Sequence, residues 1–226
     1  MSNYIIRLES TFSKNANSEN AFKMKKYMKN KFEFFGINSP LRRDLCREFL
    51  RKENLPPFEI IKDVVIELWN KPERELQYFG MELLSKYSKQ LKGDDYKLFE
   101  FMITTKSWWD SVDFIASNLV GTHFKLFPNL MKPISIEWAD SDNMWLQRTA
   151  IIFQLKYKGD TDTELLFEFI KLHASSNEFF IRKAIGWALR EYSKTNPKLV
   201  LEFVQKHDQQ LSGLSKREAL KIINIR

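Results

Sequence analysis

Glu75-Leu-Gln-Tyr-Phe-Gly-Met-Glu-Leu-Leu-Ser-Lys-Tyr87 aligns without a gap on Trp145-Leu-Gln-Arg-Thr-Ala-Ile-Ile-Phe-Gln-Leu-Lys-Tyr157 and on Phe180-Ile-Arg-Lys-Ala-Ile-Gly-Trp-Ala-Leu-Arg-Glu-Tyr192. The closing tyrosines are 70 and then 35 residues apart, so a further copy falls at 110–122. There the chain reads Asp-Ser-Val-Asp-Phe-Ile-Ala-Ser-Asn-Leu-Val-Gly-Thr, which keeps the helical pattern and departs in detail. A unit of 35 residues holds two helices and short turns, as in helical solenoids. Each unit buries its apolar face only against its neighbours, so a single domain over 1–226 is expected.

The rest of the chain agrees with an all-α reading. Breakers at Pro40, Pro56-Pro57, Pro72, Gly93, Pro128, Pro133, Gly159 and Pro197 divide it into short apolar-periodic segments, with Pro72 expected to open a helix. No Asn-Gly or Asp-Gly hairpin signal appears between alternating strands. Cys46 is the lone cysteine, which excludes an internal disulfide and a thiolate metal cluster. His123, His173 and His207 are scattered and are read as surface or local structure, so no metal site is expected. No apolar run approaches the length of a membrane span. Met-Ser-Asn-Tyr-Ile-Ile-Arg lacks a basic start followed by an apolar stretch, and a cytoplasmic location is expected.

The positive charge is unevenly spread. Residues 23–52 carry ten Lys or Arg against three acids, and 182–226 carry ten against four. The stretch between them, 53–181, has fourteen against twenty. Two basic ends around an acidic centre suit a polyanion gripped at both ends, and also suit plain helix solubility.

The repeat separates core from surface. Positions 80, 115, 150 and 185 hold Gly, Ile, Ala and Ile, and 84, 119, 154 and 189 hold Leu, Leu, Gln and Leu. That four-residue step is a mostly apolar stripe for packing between layers. Positions 78, 113, 148 and 183 hold Tyr78, Asp113, Arg148 and Lys183, polar or ionisable in every copy. In stacked layers about 8–10 Å apart, Asp113, Arg148 and Lys183 form a row. Trp109 lies four residues before Asp113 and Trp187 four after Lys183, so each indole shares a helix face with a charge. Trp108, elsewhere on the turn, is expected in the core.

Such a row lacks a phosphate loop, a histidine triad and a metal cluster. It suits hydrolysis of an N-glycosidic bond whose base is already cationic, because that base leaves neutral without a general acid. A carboxylate can stabilise the oxocarbenium-like sugar and orient water. Indole faces attract cations, and an arginine can clamp a phosphate. Asp113 with Arg148 also reads as a structural ion pair between repeats, and both readings stay open on spacing alone.

Ser107-Trp-Trp-Asp-Ser-Val-Asp113 resembles the signature of the AlkD family of DNA alkylation-repair glycosylases. So do Asp142-Asn-Met-Trp-Leu-Gln-Arg148, Phe179-Phe-Ile-Arg-Lys-Ala-Ile-Gly-Trp187, and Tyr27-Met-Lys-Asn followed by Phe35-Gly-Ile, over nearly the whole chain. The resemblance implies a right-handed superhelical solenoid of HEAT-like repeats with duplex DNA on a basic concave face. It implies release of 3-methyladenine and 7-methylguanine type bases, without metal or organic cofactor and without base flipping. A solenoid that embraces a duplex can work as a monomer, and a monomer is expected. It makes Asp113 the catalytic carboxylate, Trp109 and Trp187 aromatic walls around the lesion sugar, and Arg148 their partner at the site. Tyr27 is then a contact to the duplex. Lys29, Arg42 and Arg43 from the basic segment, with Lys183 from the row, are candidate DNA contacts. Two other classes compete: a non-catalytic DNA-structure binder on the same fold, and a peptide-binding scaffold, which the basic ends disfavour.

Overall fold

The computed structural model describes residues 3–223. Among them, regular structure is helical apart from an isolated bridge between Glu33 and Glu73. The chain divides into two compact units, Met1–Leu91 and Lys92–Arg226.

The first unit contains α1 (Asn3–Lys14), α2 (Ser18–Tyr27), α3 (Ser39–Phe49), α4 (Ile61–Asn70) and α5 (Arg74–Ser85). Ile5, Leu8 and Phe12 recur at helical spacing and seal α1 against the core. Val64, Val65, Leu68 and Trp69 do the same for α4. Pro72, expected to open a helix, sits in the turn before α5, whose N-cap is Glu73. Helix α2 differs, because it has no buried residue. It is fixed at its start: Asn17 caps it through Asn20 N at 2.9 Å, and Asn17 N donates to Phe35 O at 2.8 Å. Gly36 follows at φ +85°, and any side chain there would strike the Asn17 carbonyl. The buried Glu75 carboxylate accepts from the amides of Phe35, Gly36 and Ile37 at 3.2, 2.9 and 3.1 Å. Burial raises the Glu75 pKa, and those amides, which favour its charged form, hold it down in part.

The second unit contains α6 (Tyr96–Thr104), α7 (Trp109–Phe114), α8 (Gly121–Leu126), α9 (Pro128–Ala139), α10 (Met144–Ile152), α11 (Thr163–Leu172), α12 (Phe179–Ser193), α13 (Pro197–Lys206) and α14 (Gly213–Leu220). The helices come in pairs as the rhythm requires, and the second members α7, α10, α12 and α14 pack on one another in succession. Pro128 and Pro197 start their helices, where the missing N–H costs nothing. Pro133, expected as a divider, lies inside α9 instead. Ile115, Ala150, Ile185, Leu119 and Leu189 are buried between layers, as the stripe predicts. Gln154, the polar exception, exchanges two hydrogen bonds with the Asp162 backbone, at 3.1 and 2.8 Å. Ties between successive layers end on backbone carbonyls: Tyr157 Oη to Gly121, His123 Nε2 to Gly93 and His173 Nε2 to Ala139.

The copy at 110–122 owes its divergence to a wide turn. Helices α7 and α8 run on through a π-helical segment, Ile115–Val120. A π turn breaks the regular ladder and frees carbonyls. Here Ser117 Oγ donates to Asp113 O at 2.8 Å, and Asn118 Nδ2 to Phe114 O at 2.9 Å.

Candidate active site

Three helices of the second unit meet at one ion pair. Helix α7 begins after Ser107, whose hydroxyl ties back to Ile103 O at 2.6 Å, and carries Trp109 and Asp113 one turn apart. Helix α10 begins at Asn143, whose side chain accepts from Trp145 N at 2.9 Å, and carries Arg148. Arg148 Nε donates to Asp113 Oδ1 at 2.8 Å and Nη2 to Oδ2 at 2.9 Å, a fork on both carboxylate oxygens. The third arm, Nη1, donates to the Phe180 carbonyl at the start of α12. The Arg148 side chain is 5% exposed and that of Asp113 18%. The arginine is therefore sealed, while the carboxylate is the more exposed of the two. A phosphate clamp by Arg148, one of the roles expected from sequence, does not fit this: all three of its side-chain nitrogens bond inside the protein and the side chain is buried.

Beneath the pair lies an aromatic cluster. Trp108 packs against Trp145 at 5.8 Å and Phe180 at 5.2 Å, and Trp145 against Phe180 at 5.0 Å. Trp108 is half-buried rather than sealed in the core as expected, since this cluster borders the site. Trp109 and Trp187 are half-buried too, so neither indole is lost between helical layers.

Burial pushes the Asp113 pKa above the ordinary carboxylate range. The hydrogen bonds and charge of Arg148 oppose that shift with smaller effect, and Asp110 adds a little to it.

Lys183, the next row member, bonds not to Asp113 or Arg148 but to Glu218 Oε1, at 2.9 Å. The other oxygen of Glu218 takes Arg190 Nη1 at 2.6 Å. Glu218 was missed on sequence although it lies 35 residues beyond Lys183, the same step once more. Its segment lacks the apolar likeness that marks the other copies. The Phe180 carbonyl was missed because a backbone acceptor leaves no trace in residue type.

The remaining candidates belong to the first unit. Tyr27 ends α2 and is 68% exposed. Lys29 is exposed at φ +56°, and Arg43 is exposed on α3. Arg42 does not fit a surface contact: it is buried, bonded to Glu82 at 2.8 Å, with its guanidinium over the Tyr78 ring. The helical period explains this, since positions 42 and 43 point about 100° apart. Among the described residues no three His, Cys, Asp or Glu are grouped to hold a metal ion, and no helix is long and apolar enough to cross a membrane.

Comparison with known proteins identifies the family. A solved structure described as a predicted DNA alkylation repair enzyme from Enterococcus faecalis superposes with a TM-score of 0.86 at 34% identity, over 93% of this chain and 98% of that one. The smu.31 protein of Streptococcus mutans superposes at 0.61 with 19% identity, over 82% and 97%, a likeness of fold. No curated protein matches the chain. The sequence pattern of the DNA alkylation repair enzymes matches residues 8–223, and the chain belongs to that family.

Proposed function

We propose that the protein is a DNA glycosylase that hydrolyses the N-glycosidic bond of cationic alkylated purines, of the 3-methyladenine and 7-methylguanine type, in duplex DNA. The observation that carries this reading is the Asp113 carboxylate, gripped on both oxygens by a sealed arginine yet with its side chain still 18% exposed, one helical turn from Trp109. The family supplies the coarser role, alkylation repair acting on DNA.

In this reading the positive lesion base departs neutral as the C1′–N bond breaks, leaving an oxocarbenium-like sugar. Asp113 stabilises that charge and orients a water whose oxygen bonds C1′, its proton passing to the carboxylate or solvent. Arg148 acts as a positioning residue: it fixes the plane of the carboxylate and ties it to α12. Trp109 and Trp187 offer ring faces to cationic sugar and base, worth about 0.5–2 kcal/mol each. A departing base that already carries its charge needs neither metal nor organic cofactor. The half-buried setting of Trp109 and Trp187 suits action on a base left stacked, without the flipping most base-cutting enzymes use. Duplex DNA held by basic residues, and a monomer acting in the cytoplasm, complete the proposal.

The test is release of free 7-methylguanine from methylated duplex DNA. Wild type releases it, and Asp113→Asn loses at least about 100-fold in rate, the scale of a lost electrostatic stabiliser. Duplex binding without release would favour a non-catalytic DNA-structure binder. Undiminished release by Asp113→Asn would remove the carboxylate from the mechanism.

A further inference from the structure

The charged row does not stop at Lys183. Positions 113, 148, 183 and 218 hold Asp, Arg, Lys and Glu on the successively packed helices α7, α10, α12 and α14. They pair as Asp113 with Arg148 and Lys183 with Glu218. Glu218 does more than close a pair. One of its oxygens takes Lys183 and the other Arg190, four residues before and three after Trp187 on the same face of α12. Its reach is built into the backbone. Gly186, between the two cations, lets α14 lie against α12, and a Cβ there would stand 2.5 Å from Glu218 Cβ and 2.9 Å from Ser215 O. Ser215 Oγ donates to Arg182 O at 3.0 Å on the same seam. A carboxylate bonded to two cations across a glycine notch is a set arrangement rather than a chance surface pair. Lys183, Arg190 and nearby Lys221 hold the Glu218 carboxyl below its ordinary pKa, with burial opposing.

We propose that Glu218 is a positioning residue for excision, and that it acts through α12. It locks Lys183 and Arg190 on either side of Trp187, so that the indole meets the lesion in one orientation. It also cancels one of two positive charges that would repel a cationic base and hold undamaged phosphates too firmly. This inference rests on the glycosylase reading.

The two roles give a signature that a plain structural brace does not. Glu218→Gln removes the anion and frees both cations. Its single-turnover release of 7-methylguanine at saturating enzyme falls about tenfold, the scale of a modest misplacement. Its affinity for undamaged duplex rises severalfold, with a salt slope steeper by about one phosphate contact. Glu218→Asp, which keeps the charge but shortens the reach, slows release while leaving the salt slope as in wild type. Rate and affinity falling together in Glu218→Gln, or neither changing, overturns the proposal. If wild type itself releases no base, the glycosylase reading fails; the affinity and salt slope of Glu218→Gln still decide whether Glu218 restrains the two cations.

Discussion

Asp113 carries a charge that its surroundings partly resist. Burial raises its pKa and the Arg148 fork only partly offsets this, so the carboxyl takes up a proton at higher pH than an ordinary aspartate. In the proposed mechanism only the anion works. Activity should therefore fall on acidification with an inflection above the usual aspartate range near pH 3.9. A pH profile of single-turnover release checks this, and an acid limb at or below that value would count against Asp113. The folded protein binds this proton more tightly than the unfolded chain does. Between the ordinary and the raised pKa, rising pH thus removes stability, and Asp113→Asn should abolish that part of the pH dependence. The same residue marks how far sequence could reach. Its pairing with Arg148 was legible from a shared position one repeat apart. That Arg148 is sealed and spends its third arm on a carbonyl was not, because burial depends on the Trp108–Trp145–Phe180 cluster assembled from three segments.

At the level of helices, two glycines of similar appearance should behave oppositely. A methyl group on Gly80 in α5 would meet Leu68 at 3.7 Å, ordinary contact, so Gly80→Ala gains about 0.5–1 kcal/mol from helix propensity. On Gly186 the same methyl would press the backbone and base of the Glu218 side chain on α14, and overpacking of about 1–3 kcal/mol outweighs that gain. Thermal melts should move up for Gly80→Ala and down for Gly186→Ala, and equal shifts would contradict the close crossing of α12 and α14. The paired helices of the second unit were legible because each repeat must bury the same stripe. Less was legible in the first unit. Helix α2 buries nothing and is fixed by a cap, a glycine and the Glu75 carboxylate, features with no period.

For the molecule as a whole, charge is expected to govern attachment to DNA. Binding of undamaged duplex should weaken steeply with salt, and Lys29→Ala or Arg43→Ala should each reduce the slope by about one. Arg42→Ala should leave the slope unchanged and lower the melting temperature, because its partner Glu82 loses a half-buried ion pair. Filter-binding titrations across a salt series separate these outcomes, and a flat response in wild type would count against DNA as the partner. The chain's length is constrained as well. Removing one residue from α10 or α12 would swing everything after it by about 100° and scatter the site. Within 115–120 the same deletion would tighten a slack coil to the common pitch, leaving Asp113 and its neighbours in phase. A one-residue deletion there should therefore leave release of 7-methylguanine intact, where one in α10 or α12 abolishes it.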